Sequence, residues 1–144
     1  MKAKQTVFRL TLPSNPRSVG KIEPLLKKIN RNMHLDEIQL HKLMVSVSEA
    51  VINAIVHGNK TNRKKKVTLI CELLPGWLLV MVNDQGKGFN PNHISNPLRK
   101  ENLLLESGRG IFLMRTLMDK VEFEVSSSGL QVRLWLDLTK KFLI

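Results

Sequence analysis

Hydrophobic and polar residues change their rhythm several times along this chain, and each change marks an element. From Val7 to Leu12, Phe8, Leu10 and Leu12 alternate with Val7, Arg9 and Thr11, the pattern of a half-buried strand. Pro13, Ser14, Asn15 and Pro16 close it. A period near 3.6 follows from about Arg17 to Arg31, with Ile22, Leu25, Leu26 and Ile29 on one face. A second helix is predicted from about Leu35 to Gly58. Asp36 and Glu37 suit its positive N-terminus, and Gly58 and Asn59 suit a C-terminal stop.

Beyond a basic run, alternation returns at Val67, Leu69, Cys71 and Leu73. Pro75-Gly76 is a tight-turn signal. Leu78 to Val82 is apolar throughout, which predicts a central strand covered on both sides. Asn83 to Gly110 has little periodicity, and loops of that length are usually functional or mobile. Ile111 to Met118 reads as a helix. Val121 to Val125 reads as a strand, Ser126 to Gly129 as a turn, and Val132 to Leu138 as a last strand. The hairpins predict an α+β fold: a two-layer sandwich with a mixed, mostly antiparallel sheet and helices on one face.

Length changes this picture little. The 144 residues suit one domain over 1–144, long enough to bury roughly 68–70% of the unfolded surface without disulfides or a structural metal. The single cysteine, Cys71, can form no internal bridge and reads as a small core residue. No apolar run is long enough to cross a bilayer, and the start MKAKQTVFRL lacks a signal core. Both favour a cytoplasmic protein with no membrane partner. The charge is more telling: 23 Lys+Arg against 12 Asp+Glu give +11, densest from Lys60 to Lys66. Such a run is a solvated loop, a phosphate or protein-partner patch, or a nucleic-acid surface. No aromatic residue interleaves it, which argues against dedicated nucleic-acid binding.

The second helix carries the first candidate chemistry. With Glu49 at zero on a wheel of ~100° per residue, Lys42 falls near ~20°, Asn53 near ~40°, Ser46 near ~60° and His57 near ~80°. Most other positions are apolar, so one narrow polar seam runs along a helix that should be buried. A carboxylate there is costly unless paired. Either Glu49 pairs with Lys42 or a basic neighbour and the seam faces water, or the seam lines a polar cavity. In a cavity, Glu49 and Asn53 at i, i+4 present adjacent oxygens that suit a Mg²⁺ keeping several waters and completed by phosphate oxygens. His57, taken alone, reads as a satisfied helix-end histidine rather than a catalyst.

Two glycine motifs follow. Asn83-Asp84-Gln85-Gly86-Lys87-Gly88-Phe89 comes directly after the central strand. Its Asp84 sits where side chains become free to meet a ligand, and its glycines permit close approach of a flat or anionic group. An ordinary Asp/Gly turn fits it equally. Ser107-Gly108-Arg109-Gly110 precedes a helix, where free N–H groups bind anions; a plain glycine helix entry also fits. Neither motif is a P-loop or a dinucleotide fingerprint. The histidines are scattered, so no metal cluster is predicted.

The order and spacing of EAVINAIVHGN, VNDQGKGF and ESGRGIFLM are more specific than any one of them. Together they resemble the Bergerat-type, histidine-kinase-like ATPases, and most of all the small bacterial anti-sigma-factor serine-protein kinases. The resemblance spans about Leu35 to Leu138. It implies ATP and Mg²⁺ as cofactors and ATP-dependent phosphorylation of an anti-anti-sigma-type regulator, with sequestration of a sigma factor as a companion role. A homodimer is among the assemblies it allows. It implies Glu49 as general base, Asn53 as Mg²⁺ ligand, and Asp84 as acceptor from the adenine amino group. Gly86, Gly88 and Phe89 match the adenine loop, and Gly108, Arg109, Gly110 and Ile111 the phosphate-closing motif. His57 completes the ATP-binding set, and about 90–108 corresponds to the ATP lid.

The chain departs from the pattern twice. Members often carry Gly-Thr where Gly129-Leu130 stands here. Some carry an arginine where Leu105-Glu106 stands, so Arg109, Arg99 or Lys100 would have to substitute. Phosphoryl transfer rests on positioning and charge neutralisation, so the missing cation weighs more. A nucleotide-gated binding module without phosphotransfer is therefore the alternative reading. The histidine-kinase branch fits less well, since no substrate-histidine helix precedes the domain.

Overall fold

The computed structural model describes residues 4–86 and 108–140. Strand β1 (Gln5–Pro13) leads through a 3-10 turn (Pro16–Lys21) into α1 (Ile22–Met33), and α2 (Glu37–Asn53) continues into a π-helical turn (Ala54–Gly58). The hairpin of β2 (Lys66–Leu74) and β3 (Trp77–Asn83) follows. The last elements are α3 (Gly108–Leu117), β4 (Lys120–Ser126) and β5 (Gly129–Asp137). No helix among the described residues is long and apolar enough to cross a membrane.

Local chemistry explains the boundaries. Asn15 accepts from the Arg17 N–H and caps the 3-10 turn. The predicted first helix becomes α-helical only at Ile22 because Pro24 has no N–H to donate to Gly20, and its ring would crowd that carbonyl. In the first turn of α1 that missing donor costs nothing. The α2 start is a capping box: Gln39 N donates to Asp36 Oδ1 at 2.7 Å, and Asp36 N to Gln39 Oε1 at 3.1 Å. Gly76, at φ +77°, takes the left-handed turn position that Pro75-Gly76 predicts.

The strand order is β1-β2-β3-β5-β4, and every described pairing is antiparallel. The sheet is thus antiparallel throughout rather than mixed. Leu12, Val67, Leu69, Cys71, Leu78, Val80, Val82, Val132, Leu134 and Leu136 face the helices. There they join Ile22, Leu26, Leu43, Val47, Val51, Ile55 and Met114 in one core. Burial pushes the Cys71 thiol up to about 12, with Glu72 adding to the effect, so it is an inert core residue.

β3 is central and covered on both faces, as expected, but by different means. Among the described residues helices cover the face of Leu78, Val80 and Val82. On the other face Leu79 is buried outside the main core, beside half-buried Trp77 and Met81. Trp77 meets Trp135 edge to face at 5.9 Å between centroids, and the Trp135 indole donates to Glu122 at 2.7 Å. The continuous apolar run therefore reflects an aromatic shield within the sheet rather than a second helical layer.

Candidate functional site

The polar seam and the two glycine motifs meet along one helix. Glu49 and Asn53 are half-buried on α2. No ion pair joins Glu49 to Lys42, and among the described residues neither Glu49 nor Asn53 makes a side-chain hydrogen bond. Their neighbour is Gly110 in the first turn of α3. A Cβ added there would stand 2.6 Å from Glu49 Oε2 and 3.4 Å from Asn53 Nδ2. The glycine thus brings backbone against both side chains.

The second cluster lies past the end of α2. Asp84 is buried. Its Oδ1 accepts from Gly86 N and from Leu130 N, both at 3.0 Å, and its own N–H donates to Leu130 O at 3.0 Å. Among the described residues no hydrogen bond engages Oδ2. Burial raises this carboxyl above its ordinary value of 3.8, and the two N–H donors and Lys65 pull it part of the way back. Three glycines enclose the residue. A Cβ on Gly58 would collide with the Asp84 carboxylate, one on Gly86 with the Gly58 carbonyl, and one on Gly129 with the Asp84 carbonyl. Gly129 also holds φ +147°, which disfavours any side chain.

The sequence-derived residues thus sort into two groups. Glu49, Asn53 and Gly110 come together, as do Asp84 and Gly86. His57 sits half-buried in the π turn that joins the groups. Gly108-Arg109-Gly110 is not a loop before the helix: it is the first turn of α3. The Ile111 side chain belongs to the core, so only its backbone amide remains available to a ligand. The Arg109 side chain, Gly88, Phe89 and the segment matched to the lid lie outside the described residues.

Sequence reasoning missed part of this arrangement. Gly58 reads as a helix stop, yet its φ is not in the positive range. It is small because Asp84 presses against it. The π turn, in which Asn59 N donates to Ala54 O at 2.8 Å, is also invisible to a 3.6-residue wheel. Leu130 supports Asp84 through its backbone N–H and carbonyl, contacts that do not depend on the side chain at 130.

Among the described residues no three His, Cys, Asp or Glu side chains gather as a metal site. The donor set that remains fits a weakly held Mg²⁺. A carboxamide and a carboxylate, neither engaged by a hydrogen bond among the described residues, lie side by side against the Gly110 backbone, and such oxygens suit a Mg²⁺ that keeps several waters.

The model of the histidine kinase-like ATPase domain matches residues 12–136. The chain belongs to that family. Among its relatives, the serine-protein kinase RsbW of Bacillus licheniformis is 29% identical over 133 residues, covering 88% of this chain and 83% of the relative. RsbW of Bacillus subtilis strain 168 is 29% identical over 138 residues, 92% of this chain and 86% of that one. The crystal structure of the RsbU and RsbW domains of Rv1364c from Mycobacterium tuberculosis superposes with a TM-score of 0.68 over 95% of this chain at 17% identity, which speaks for the fold. This chain spans about a third (34%) of that longer one.

Proposed function

We propose that this protein is an ATP-dependent serine/threonine kinase of a bacterial partner-switching system. Its substrate is a small anti-anti-sigma-type regulator, and its companion role is to sequester a sigma factor. The observation that carries the reading is the convergence of Glu49, Asn53 and Gly110 at the last turns of α2, and of Asp84, Gly58, Gly86 and Gly129 at the far end of the π turn that follows it.

At the adenine end Asp84 Oδ2 accepts from the exocyclic amino group. Oδ1 is already held by two backbone donors, so the acceptor is fixed before the ligand arrives. The glycines admit a flat base against backbone. At the phosphate end the N–H groups of the first turn of α3 face anionic oxygens. Glu49 takes the proton from the acceptor serine hydroxyl as its oxygen bonds to the γ-phosphorus. The bond from that phosphorus to the bridging oxygen breaks, and ADP leaves. Asn53 would hold Mg²⁺, which supplies charge neutralisation on the phosphates when bound.

Incubation with Mg²⁺-ATP and the regulator tests the reading. Wild type yields phosphoserine, and Glu49→Gln slows transfer by about 10²–10⁴-fold with ATP affinity held within about twofold. Absence of phosphoserine, or an unchanged Glu49→Gln rate, overturns it. ATP binding with partner release and no phosphoserine would mark a nucleotide-gated binding module, the alternative that the Leu105-Glu106 departure motivates.

A further inference from the structure

One fully buried polar side chain next to the proposed adenine end takes no part in the mechanism above. Asn59, only 1% exposed, follows the π turn directly. Its Oδ1 accepts from Gln85 N at 2.7 Å. Its Nδ2 donates to Ser14 Oγ at 2.8 Å and to Lys66 O at 3.1 Å. Ser14 Oγ in turn donates to Lys65 O at 2.6 Å, and Lys66 N donates to Gln85 Oε1 at 2.6 Å. One carboxamide therefore links the end of β1, the start of β2 and the backbone of the residue after Asp84.

The chemistry at this position is demanding. One partner is an N–H and another a carbonyl, so the side chain must offer an acceptor and a donor at once. Aspartate has no hydrogen to give Lys66 O, and serine cannot reach both sides. Asn59 and Ser14 at the centre of the network are buried and both are satisfied, the condition under which polar groups rigidify a site. Gln85 itself is exposed, so this peptide is fixed from the inside by Asn59. Gly86, whose N–H holds Asp84 Oδ1, is the next residue along.

We propose that Asn59 is a positioning residue for base recognition: through the Gln85 peptide it fixes the Asp84–Gly86 backbone, and so the direction of the Asp84 acceptor. The inference rests on the reading of Asp84 as the adenine acceptor. It predicts a loss of discrimination on the base rather than a general loss of fold or of phosphate contacts.

The test compares ATP with purine riboside triphosphate, which lacks the 6-amino group, by calorimetry with Mg²⁺ on the full chain. Wild type should favour ATP by about tenfold, the size of one net hydrogen bond to a charged acceptor. Asn59→Ser should weaken ATP about fivefold to tenfold and the purine analogue about twofold or less, bringing the two affinities together. Ser14→Ala, a milder change that removes one anchor of Nδ2, should shift the ratio in the same direction by about twofold to threefold, and it serves if Asn59→Ser does not fold. An unchanged ratio in whichever of these folds, or an equal loss for both nucleotides, overturns the inference. Failure of wild type to prefer ATP at all would bring down the Asp84 reading instead.

Discussion

The two clusters on either side of the π turn that follows α2 are built on opposite plans. At Asp84 almost everything is settled: two backbone N–H groups hold Oδ1, three glycines close around the residue, and Asn59 pins the next peptide. At Glu49 and Asn53 almost nothing is settled: the side chains make no hydrogen bond among the described residues, and one glycine backbone lies against them. The difference teaches where rigidity is useful. A recognition contact gains affinity from being preformed. A general base and a metal ligand must instead keep their lone pairs uncommitted until substrate and phosphate arrive. The apolar girth of α2 is locked into the core and carries the first cluster, and the π turn that continues it brings Gly58 against the second.

Substitutions at the two clusters should therefore fail in different ways. The largest effect on affinity belongs to Asp84→Asn, which loses the anionic acceptor and should weaken ATP by about 10–100-fold, measured by calorimetry. Its effect on the free protein runs the other way. A carboxyl raised in the folded state adds stability below its ordinary value, and that contribution is lost as pH rises through the raised value. Thermal melts of Asp84→Asn should thus match or exceed wild type near about pH 7, with the gain shrinking toward about pH 4. A lower melting temperature at neutral pH would contradict the preformed-acceptor picture.

Gly58→Ala comes next. Its methyl meets a carboxylate that cannot retreat, so about 1–3 kcal/mol of stability and about tenfold in ATP affinity should go together. Gly110→Ala should be mildest. Its methyl meets the mobile end of Glu49 at 2.6 Å, and the side chain can swing aside for about 1 kcal/mol or less. The transfer rate should still fall by about tenfold, because the base is displaced. Equal stability losses at Gly58 and Gly110 in denaturant titrations would erase the contrast between the two clusters.

Much of this was legible in the sequence wherever a simple period governs. The strands show as alternation because one face of the sheet is buried, and the Glu49–Asn53 seam shows because a wheel reports helix faces. Asp84 and the glycines stand out in order and spacing. What was not legible depends on contacts between distant segments. Gly58 looks like a stop signal until Asp84 is seen against it. Asn59 looks like part of the same signal until Ser14 and Gln85 close around it. The late start of α1 could have been read from Pro24. The aromatic cover on the second face of β3 could not, because Trp77 and Trp135 meet across a strand pair that sequence adjacency does not reveal.

The continuity of α2 with its π turn makes the helix a ruler. Glu49 and Gly58 lie nine residues apart, the last five of them in the π turn, so their levels are separated by at most ~13.5 Å at ~1.5 Å per residue. A ligand engages both ends only if it is long enough to touch both marks. A nucleoside or an inorganic polyphosphate reads one mark alone. Deleting a single residue between 54 and 58 would shorten the scale and rotate its far mark by ~100°, leaving each cluster intact but measuring the wrong molecule.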